Sequence, residues 1–245
     1  MTSHHPPLWR RALAEMLGTC LLVAIVVGSG IAAQHLSPGD TGLQLRENST
    51  ATVLGLAVLI LVFGPVSGAH FNPVVSAADW ALGRRQGTGL SLQELGAYVV
   101  TQTVGAIGGS VLANVMFDVG TSISGKDRMT AGHLAGEIVA TAGLVLLIFS
   151  LARTHRGLLA APAVGAYIGA AYWFTSSTSF ANPAVTVGRI FSDTFAGIAP
   201  GSVPGFILAQ ILGAALGLGL LLALFPVAAP PADDVVIPHP AEANG

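Results

Sequence analysis

The short elements Asn72-Pro73-Val74 and Asn182-Pro183-Ala184 occupy corresponding places in two similar halves of the chain. Asn is a strong helix N-cap, and Pro is favoured at the first helical position, where its missing N–H is not needed. Each element therefore predicts the start of a short helix. An Asn amide carries N–H donors, and the start of a helix concentrates positive potential. This combination predicts hydrogen bonding to an uncharged oxygen together with repulsion of cations.

The composition predicts that these helix starts lie in a membrane. Hydrophobic residues make up 52% of the 245 residues and charged residues 9%, whereas about a quarter of a soluble domain is charged. Glycine is frequent, with 31 residues, as expected where helices pack closely in lipid. Helix starts at bilayer depth are tolerated only where they line a cavity or are buried in protein. The two Asn-Pro elements therefore indicate a pore or a transport site.

Charge and cysteine content argue against several other classes. The chain has 10 Lys and Arg against 12 Asp and Glu, without the basic excess that nucleic-acid binding needs. Cys20 is the single cysteine and lies in an apolar run, so neither a disulfide framework nor a cysteine-based metal site is predicted. That first apolar run follows Arg10 and Arg11, as in a signal peptide. Its length, its Glu15 and its place in a repeat predict that it is retained.

Six apolar runs are each close to the roughly 20 residues that cross a hydrocarbon core. Residues 72–83 and 182–191 are too short to cross and are predicted to be re-entrant half-helices. We expect one channel domain over residues 1–229 and a disordered tail over 230–245. The six predicted spans are about 12–33, 51–67, 95–117, 134–152, 158–175 and 204–227.

The two halves, about 10–117 and 134–227, match in three segments. Three spans per half is an odd number, so the second copy must be inverted in the membrane. The predicted fold class is an all-α membrane protein with six transmembrane helices and two half-helices in an inverted 3+3 repeat, with the half-helix N-termini meeting near the midplane. The matching segments are 14–19 with 136–141, 67–76 with 177–186, and 98–106 with 206–214.

Basic residues predict the orientation, because they are enriched in cytoplasmic segments. With both termini on one side, that side carries six basic residues and the other side four. The excess predicts a multi-pass protein of the cell (inner) membrane with cytoplasmic termini. The six are Arg10, Arg11, Arg84, Arg85, Arg153 and Arg156, and the four are Arg46, Lys126, Arg128 and Arg189.

These features resemble the aquaporin, or major intrinsic protein, family. The resemblance covers about residues 10–227 and depends on residues 67–74, residues 179–184 and the paired Glu15 and Glu137. It implies a homotetramer in the lipid bilayer, with a pore for water and small uncharged solutes in each subunit. It also implies no cofactor and no energy coupling, and we expect neither enzymatic activity nor a metal site. Finally, it implies that each glutamate holds backbone N–H groups of the loop before a half-helix.

The buried ionisable residues have alternative interpretations. An acidic residue in the middle of a membrane helix costs about 2.5–3.5 kcal/mol on insertion scales, so Glu15 and Glu137 should have specific partners. Loop support is the expected role, and a proton or ion ligand is the alternative. We expect His70 to be satisfied within its loop, and a pH-sensitive vestibule residue is the alternative.

The constriction departs from the pattern of water-selective family members, in which an Arg follows the second Asn-Pro-Ala and faces a bulky aromatic and a His. Here Val185 stands directly after Ala184. Counting back from the Asn residues assigns the other positions to Thr52, Ala170 and Ser179. These four residues predict a wider opening without a fixed positive charge. The alternative is that Arg189 or a nearby aromatic residue, Phe180 or Tyr167, closes the gap.

The wider opening predicts a passive channel for polyols or metalloid hydroxides such as arsenite, as well as water. Glycerol-conducting members usually keep the Arg and follow it with Asp, which Val185 and Thr186 do not match. Some bacterial members associated with metalloid movement are similar in lacking the Arg. A strict water channel and a pore-closed junction protein of the same fold stay open. A proton-coupled secondary transporter would need Glu15 or Glu137 as a ligand, and no enzyme-like cluster is visible in the sequence.

Overall fold

The structure is a computed structural model that describes residues 6–84 and 88–226. Six long helices in this part are apolar enough to cross a membrane, which confirms the predicted all-α membrane fold. Single 3-10 turns precede or follow three of the helices, at Gly157–Leu159, Arg189–Phe191 and Pro200–Ser202. The helices are α1 Leu8–Leu36, α2 Thr41–Ser67, α3 Pro73–Gly83, α4 Leu92–Met116, α5 Ala131–Arg153, α6 Ala160–Phe174, α7 Pro183–Gly188 and α8 Val203–Leu224.

Helix α2 begins ten residues before the predicted start at 51, at Thr41. Asp40 caps it, because its side chain accepts a hydrogen bond from the backbone N–H of Leu43 at 2.9 Å. Asn48 lies inside this extension and donates to the carbonyl of Val26 on α1 at 2.8 Å. Hydropathy misses this stretch because its polar residues find partners on a neighbouring helix.

The short helices α3 and α7 begin as the two Asn-Pro elements predict. The side-chain oxygen of Asn72 accepts from the backbone N–H of Val74, and that of Asn182 accepts from those of Ala184 and Val185. In each helix Pro occupies the first position. The second half-helix follows the predicted 182–191, but it is α-helical only to Gly188 and ends as a 3-10 turn at Phe191.

Matched glycines bring the long helices of each repeat together. In α4, a Cβ added at Gly105 or Gly109 would lie 2.2 Å from a backbone carbonyl oxygen of α1. In α8, a Cβ at Gly213 or Gly217 would lie 2.5 Å from a carbonyl oxygen of α5. Only glycine permits this approach, so α4 packs on α1 and α8 packs on α5 by the same device.

The alternating helix directions give the molecule two sides, which we call the terminal side and the far side. On the terminal side, Arg11 pairs with Glu94 at the start of α4. On the far side, the loop between α4 and α5 meets the loop after α7, where the Ser124 hydroxyl donates to Asp193 at 3.2 Å. Helix α3 therefore enters from the terminal side and α7 from the far side. The predicted tail at 230–245 lies outside the described residues.

Candidate functional site

The two half-helix starts meet through an exchange of hydrogen bonds. The Asn72 amide donates to the carbonyl of Ala181 at 2.7 Å, and the Asn182 amide donates to the carbonyl of Phe71 at 2.7 Å. Each bond uses one of the two N–H donors of an amide. Both side chains also line an internal cavity. The second N–H of each amide is therefore placed where a solute in the cavity can accept from it.

Glu15 binds the loop that precedes α3. Its carboxylate accepts from the backbone N–H groups of His70 at 3.0 Å and Phe71 at 2.6 Å. It also accepts from the Ser67 hydroxyl at 2.6 Å and from the Gln102 amide at 2.7 Å. Four donors on one buried carboxylate replace the hydration that a membrane helix cannot supply.

Glu137 makes the equivalent contacts in the second half. It accepts from the backbone N–H groups of Phe180 at 2.9 Å and Ala181 at 2.8 Å, and from the Gln210 amide at 2.6 Å. The loops need this support because five of their non-glycine residues have positive φ angles, a conformation that is uncommon outside glycine. The five are Ala69, Phe71, Thr178, Ser179 and Ala181. Both glutamates thus have the loop contacts that the resemblance implies.

His70 contacts its own loop and the cavity. Its Nδ1 lies 3.0 Å from the Ser76 hydroxyl, and its ring packs edge-on against Tyr98 with the ring centres 5.5 Å apart. The side chain is buried and lines the terminal half of the cavity. These contacts fit a histidine that is satisfied within its loop.

The cavity runs past both Asn residues and has a volume of about 70 Å³. One ordered water needs roughly 10–15 Å³, so the cavity is large enough for several waters. Its wall is apolar except at the Asn pair, at His70 and at the far-side mouth. The apolar lining includes Leu22, Val26, Leu56, Ile60, Val75, Leu144, Ile148, Val164 and Ile168.

Three of the four predicted constriction residues, Thr52, Ser179 and Val185, line this cavity. Ala170 does not, because it is exposed on the outer face of α6. Tyr172 lines the cavity instead, and its hydroxyl lies 3.2 Å from that of Thr52. The assignment of Ala170 is corrected to Tyr172. Residues 164, 168 and 172 share one helical face, and this spacing is the signal that counting back from Asn182 missed.

Arg189 also lines the cavity, so the prediction of a mouth without fixed positive charge is wrong. Its side chain is only 3% exposed. Its Nε donates to the carbonyl of Ala196, and the guanidinium carbon lies 3.4 Å from the ring centre of Phe180. Arg189 follows Val185 by four residues, and this helical spacing places both on the same face. Tyr167 does not close the gap, since its hydroxyl donates to the carbonyl of Ala140.

Comparison with known proteins agrees with this geometry. The family model of the major intrinsic proteins matches residues 2–181. The chain belongs to the major intrinsic protein family. It is 50% identical over 196 residues to the aquaglyceroporin AqpS of Rhizobium meliloti (strain 1021), covering 79% of this chain and 81% of the relative. It is 34% identical to aquaporin NIP1-1 of Zea mays, covering 74% of this chain and 64% of that one.

A solved structure shows the same fold. The aquaglyceroporin from Plasmodium falciparum superposes with a TM-score of 0.64 at 20% identity, covering 89% of this chain and 95% of that chain. As a major intrinsic protein, the chain is a passive transmembrane channel for water and small neutral solutes, and it is not an enzyme.

The positions of Ser179 and Cys20 predict how this family member responds to mercurials. Ser179 lines the cavity, whereas Cys20 lies beside Gly108 and Gly109 where α1 packs on α4. We expect wild-type flux to resist mercurials and Ser179→Cys to become sensitive, because an adduct at the mouth obstructs the lumen. Water flux in vesicles with and without mercury measures this. A strong block of wild type that Cys20→Ser removes would contradict the placement of the lumen.

Proposed function

We propose that this channel passes small hydroxylated solutes of the polyol and metalloid-hydroxide class, such as glycerol and arsenous acid, in addition to water. The observation that carries the proposal is Val185, a short apolar side chain at the cavity wall directly after the second Asn-Pro element. The guanidinium of Arg189 lies against Phe180 and the carbonyl of Ala196 instead of projecting from that position.

The mouth has one apolar part and one polar part. Val185 and the ring of Phe180 supply the apolar part, and both line the cavity. The hydroxyls of Thr52 and Tyr172 supply hydrogen-bonding groups on another part of the wall. A polyol likewise presents C–H groups and hydroxyls on different parts of its surface. Each group of the solute then meets a matching group of the wall, which lowers the cost of removing its water.

The metalloid-hydroxide part of the proposal follows from charge. Arsenous acid is neutral near pH 7 and carries three hydroxyls, so it can use the same donors and acceptors as glycerol. The half-helix starts at Asn72 and Asn182 favour uncharged oxygen acceptors over cations. The similarity to a bacterial aquaglyceroporin at 50% identity supports the same solute class.

The membrane placement and assembly are part of the same proposal. Basic residues favour the cytoplasmic side of a membrane, and the terminal side carries Arg10, Arg11, Arg84, Arg153 and Arg156. We therefore place the protein in the cell (inner) membrane with both termini in the cytoplasm and the far side facing away from the cytoplasm. A homotetramer with one pore in each subunit is the assembly that family membership favours.

Vesicles containing the purified protein test the solute range. We expect osmotic water flux, glycerol flux and arsenite uptake all to exceed those of empty vesicles without any ion gradient. Raised water flux with glycerol and arsenite at the empty-vesicle rate would make a strict water channel the better account. Saturable uptake that follows a proton gradient would instead indicate a secondary transporter.

A further inference from the structure

Within the described residues, two fully buried glutamines, one in each half of the chain, have a carbonyl oxygen without a hydrogen-bond partner. The first is Gln102, whose amide gives one N–H to Glu15 at 2.7 Å and the other to the Ser76 hydroxyl at 3.1 Å. An ionised carboxylate only accepts hydrogen bonds. The amide nitrogen of Gln102 therefore has to face Glu15, and its carbonyl oxygen points elsewhere.

Gln210 repeats this arrangement in the second half. Its amide donates to Glu137 at 2.6 Å and to the Thr186 hydroxyl at 2.9 Å. That hydroxyl donates to the carbonyl of Asn182 at 2.8 Å, so its oxygen accepts from the amide. The orientation of Gln210 is therefore fixed as well, and its carbonyl oxygen also points away from the glutamate.

A buried threonine lies one turn from each glutamate. Thr19 follows Glu15 by four residues, Thr141 follows Glu137 by four, and the two threonines correspond in the repeat. Both are fully buried, and neither hydroxyl has a hydrogen-bond partner in the part of the chain that the structure describes. A threonine inside a helix can donate to the carbonyl four residues earlier. Here that bond is not formed, so each hydroxyl is able to bind a group outside its own helix.

In the second half, the threonine and the glutamine lie side by side where α5 packs on α8. Gly213 follows Gln210 by three residues, which places the two on one face of α8. A Cβ added at Gly213 would lie 2.9 Å from the Cβ of Thr141. Thr141 therefore packs directly beside the turn that carries Gln210.

The first half has the same arrangement where α1 packs on α4. Gly105 follows Gln102 by three residues, and a Cβ added there would lie 2.2 Å from the carbonyl oxygen of Met16 and 3.2 Å from the backbone nitrogen of Cys20. Thr19 lies between Met16 and Cys20 in the same turn of α1. The unpaired hydroxyl and the unpaired carbonyl oxygen thus belong to facing turns of two packed helices.

The half-helices separate both pairs from the lumen. None of the two threonines and two glutamines is among the described residues that line the cavity. On α3, Val75 lines the cavity whereas its neighbour Ser76 contacts Gln102. On α7, Val185 and Thr186 divide in the same way. Each pair therefore lies behind a half-helix.

Unpaired oxygens that recur in both halves indicate a bound molecule. A buried polar group without a partner costs free energy, and buried waters typically make about three hydrogen bonds to such groups. Two polar groups that are too far apart for a direct bond are commonly joined by a water. Two neutral oxygens do not make a cation site, since Mg²⁺ and Ca²⁺ take about six or more oxygen ligands.

We propose that each repeat binds one ordered water behind its half-helix. In the first half the water bridges Thr19 and Gln102, and in the second it bridges Thr141 and Gln210. Each water accepts from the threonine hydroxyl and donates to the glutamine oxygen, which joins two long helices beside the glutamate that holds the half-helix loop. The two waters are separate from those in the lumen, and the inference does not depend on which solutes the lumen admits.

A density map of the purified protein, at a resolution that shows the waters in the lumen, tests both sites. We expect a peak within about 3.2 Å of the hydroxyl and of the glutamine oxygen in each half. Thr19→Val replaces the hydroxyl by a methyl group and should lose the peak in the first half while keeping that in the second. Thr141→Val should do the reverse, so each variant contains its own control. A wild-type map with lumen waters and no peak at either site would overturn the proposal.

Thermal unfolding gives an independent test, because a bound water and an unpaired hydroxyl predict opposite signs. With a bound water, Thr19→Val leaves the Gln102 oxygen without a partner, and Tm should fall by roughly 2–8 °C. With an unpaired hydroxyl, its removal should leave Tm unchanged or raise it. Thr19→Ser keeps the hydroxyl and should stay close to wild type. Thr103→Val is the matched control and should change Tm less, since the Thr103 hydroxyl donates to the carbonyl of Val99 within α4 at 2.7 Å.

An unchanged or higher Tm in both Thr19→Val and Thr141→Val would overturn the proposal. If neither variant inserts into the membrane, the wild-type map decides it alone. Water permeability per inserted protein should stay at the wild-type level in both variants, because the two sites lie outside the lumen. A severalfold fall in permeability would place the bound waters in the lumen and overturn their separation from it.

Discussion

Replacing Val185 by Arg should reduce glycerol and arsenite permeability severalfold and reduce water permeability much less. The new side chain would extend a long cation with five N–H donors into the mouth. Val185 and Arg189 both line a cavity of only about 70 Å³, so two guanidinium groups would share it. Water passes a gap that a three-carbon polyol does not. The second positive charge should also lower the residual proton and cation leak.

The measurement is a paired vesicle assay of water, glycerol and arsenite on wild type and Val185→Arg. Val185→Met is the matched control, since it adds length without charge. It should lower solute flux without changing the cation leak. Equal glycerol flux in wild type and Val185→Arg would show that residue 185 does not limit passage, and the Val185-based account of solute range would fail.

Local chemistry explains why much of the site could be predicted from the sequence. The side chain that caps each half-helix and the Pro that begins it are neighbours in the chain, so Asn72-Pro73 and Asn182-Pro183 specify their own conformation. Glu15 and Glu137 occupy equivalent positions of a repeated segment and would be costly in lipid without partners. These features can be predicted from the sequence because each depends on only a few neighbouring residues or on the repeat itself.

The errors at the mouth have a different physical origin. Whether Ala170 or Tyr172 reaches the lumen depends on the path of the loop between the end of α6 and Asn182. A count of residues along the chain does not give that path. Arg189 lies four residues after Val185, so the helix places both on one face, but the contacts of its long side chain are made outside the helix. Its partner, the carbonyl of Ala196, lies in a loop without a regular pattern. Tertiary contacts set both positions.

The two halves of the channel are alike in backbone and opposite in charge. In the alignment of 67–76 with 177–186, Phe180 corresponds to His70, and extending it by three residues places Arg189 opposite Asp79. Both charged residues are buried. Asp79 accepts from the backbone N–H of Leu90 at 2.7 Å and does not line the cavity, whereas Arg189 does. The inverted repeat thus builds a symmetric midplane, and side-chain differences make the far-side mouth the positive one.

Changing either pore Asn to Asp should admit cations. A carboxylate at a half-helix start places negative charge where the helix dipole is positive. The substitution also removes the amide donor of Asn72 or Asn182. A carboxylate oxygen would then face the carbonyl that accepts a hydrogen bond at 2.7 Å in the wild type. We expect a loss of stability of roughly 1–3 kcal/mol from the unsatisfied carbonyl. Proton and sodium leak and the thermal unfolding of the purified protein measure the two effects.

The position of Arg189 predicts that the cation leak differs in magnitude between Asn72→Asp and Asn182→Asp. Asn182 begins the short helix that leads to Arg189, so a carboxylate at that position would be compensated in part by the guanidinium, whereas Asn72 begins the other half-helix. Asn72→Asp should therefore leak more than Asn182→Asp, and adding Arg189→Met should remove the difference. Asn114→Asp is the matched control, because Asn114 donates to the carbonyl of Phe191 at 2.8 Å away from the cavity. It should lose stability without leaking. Unchanged leak in both pore variants, with the protein inserted, would mean that the cation barrier lies at the far-side mouth alone.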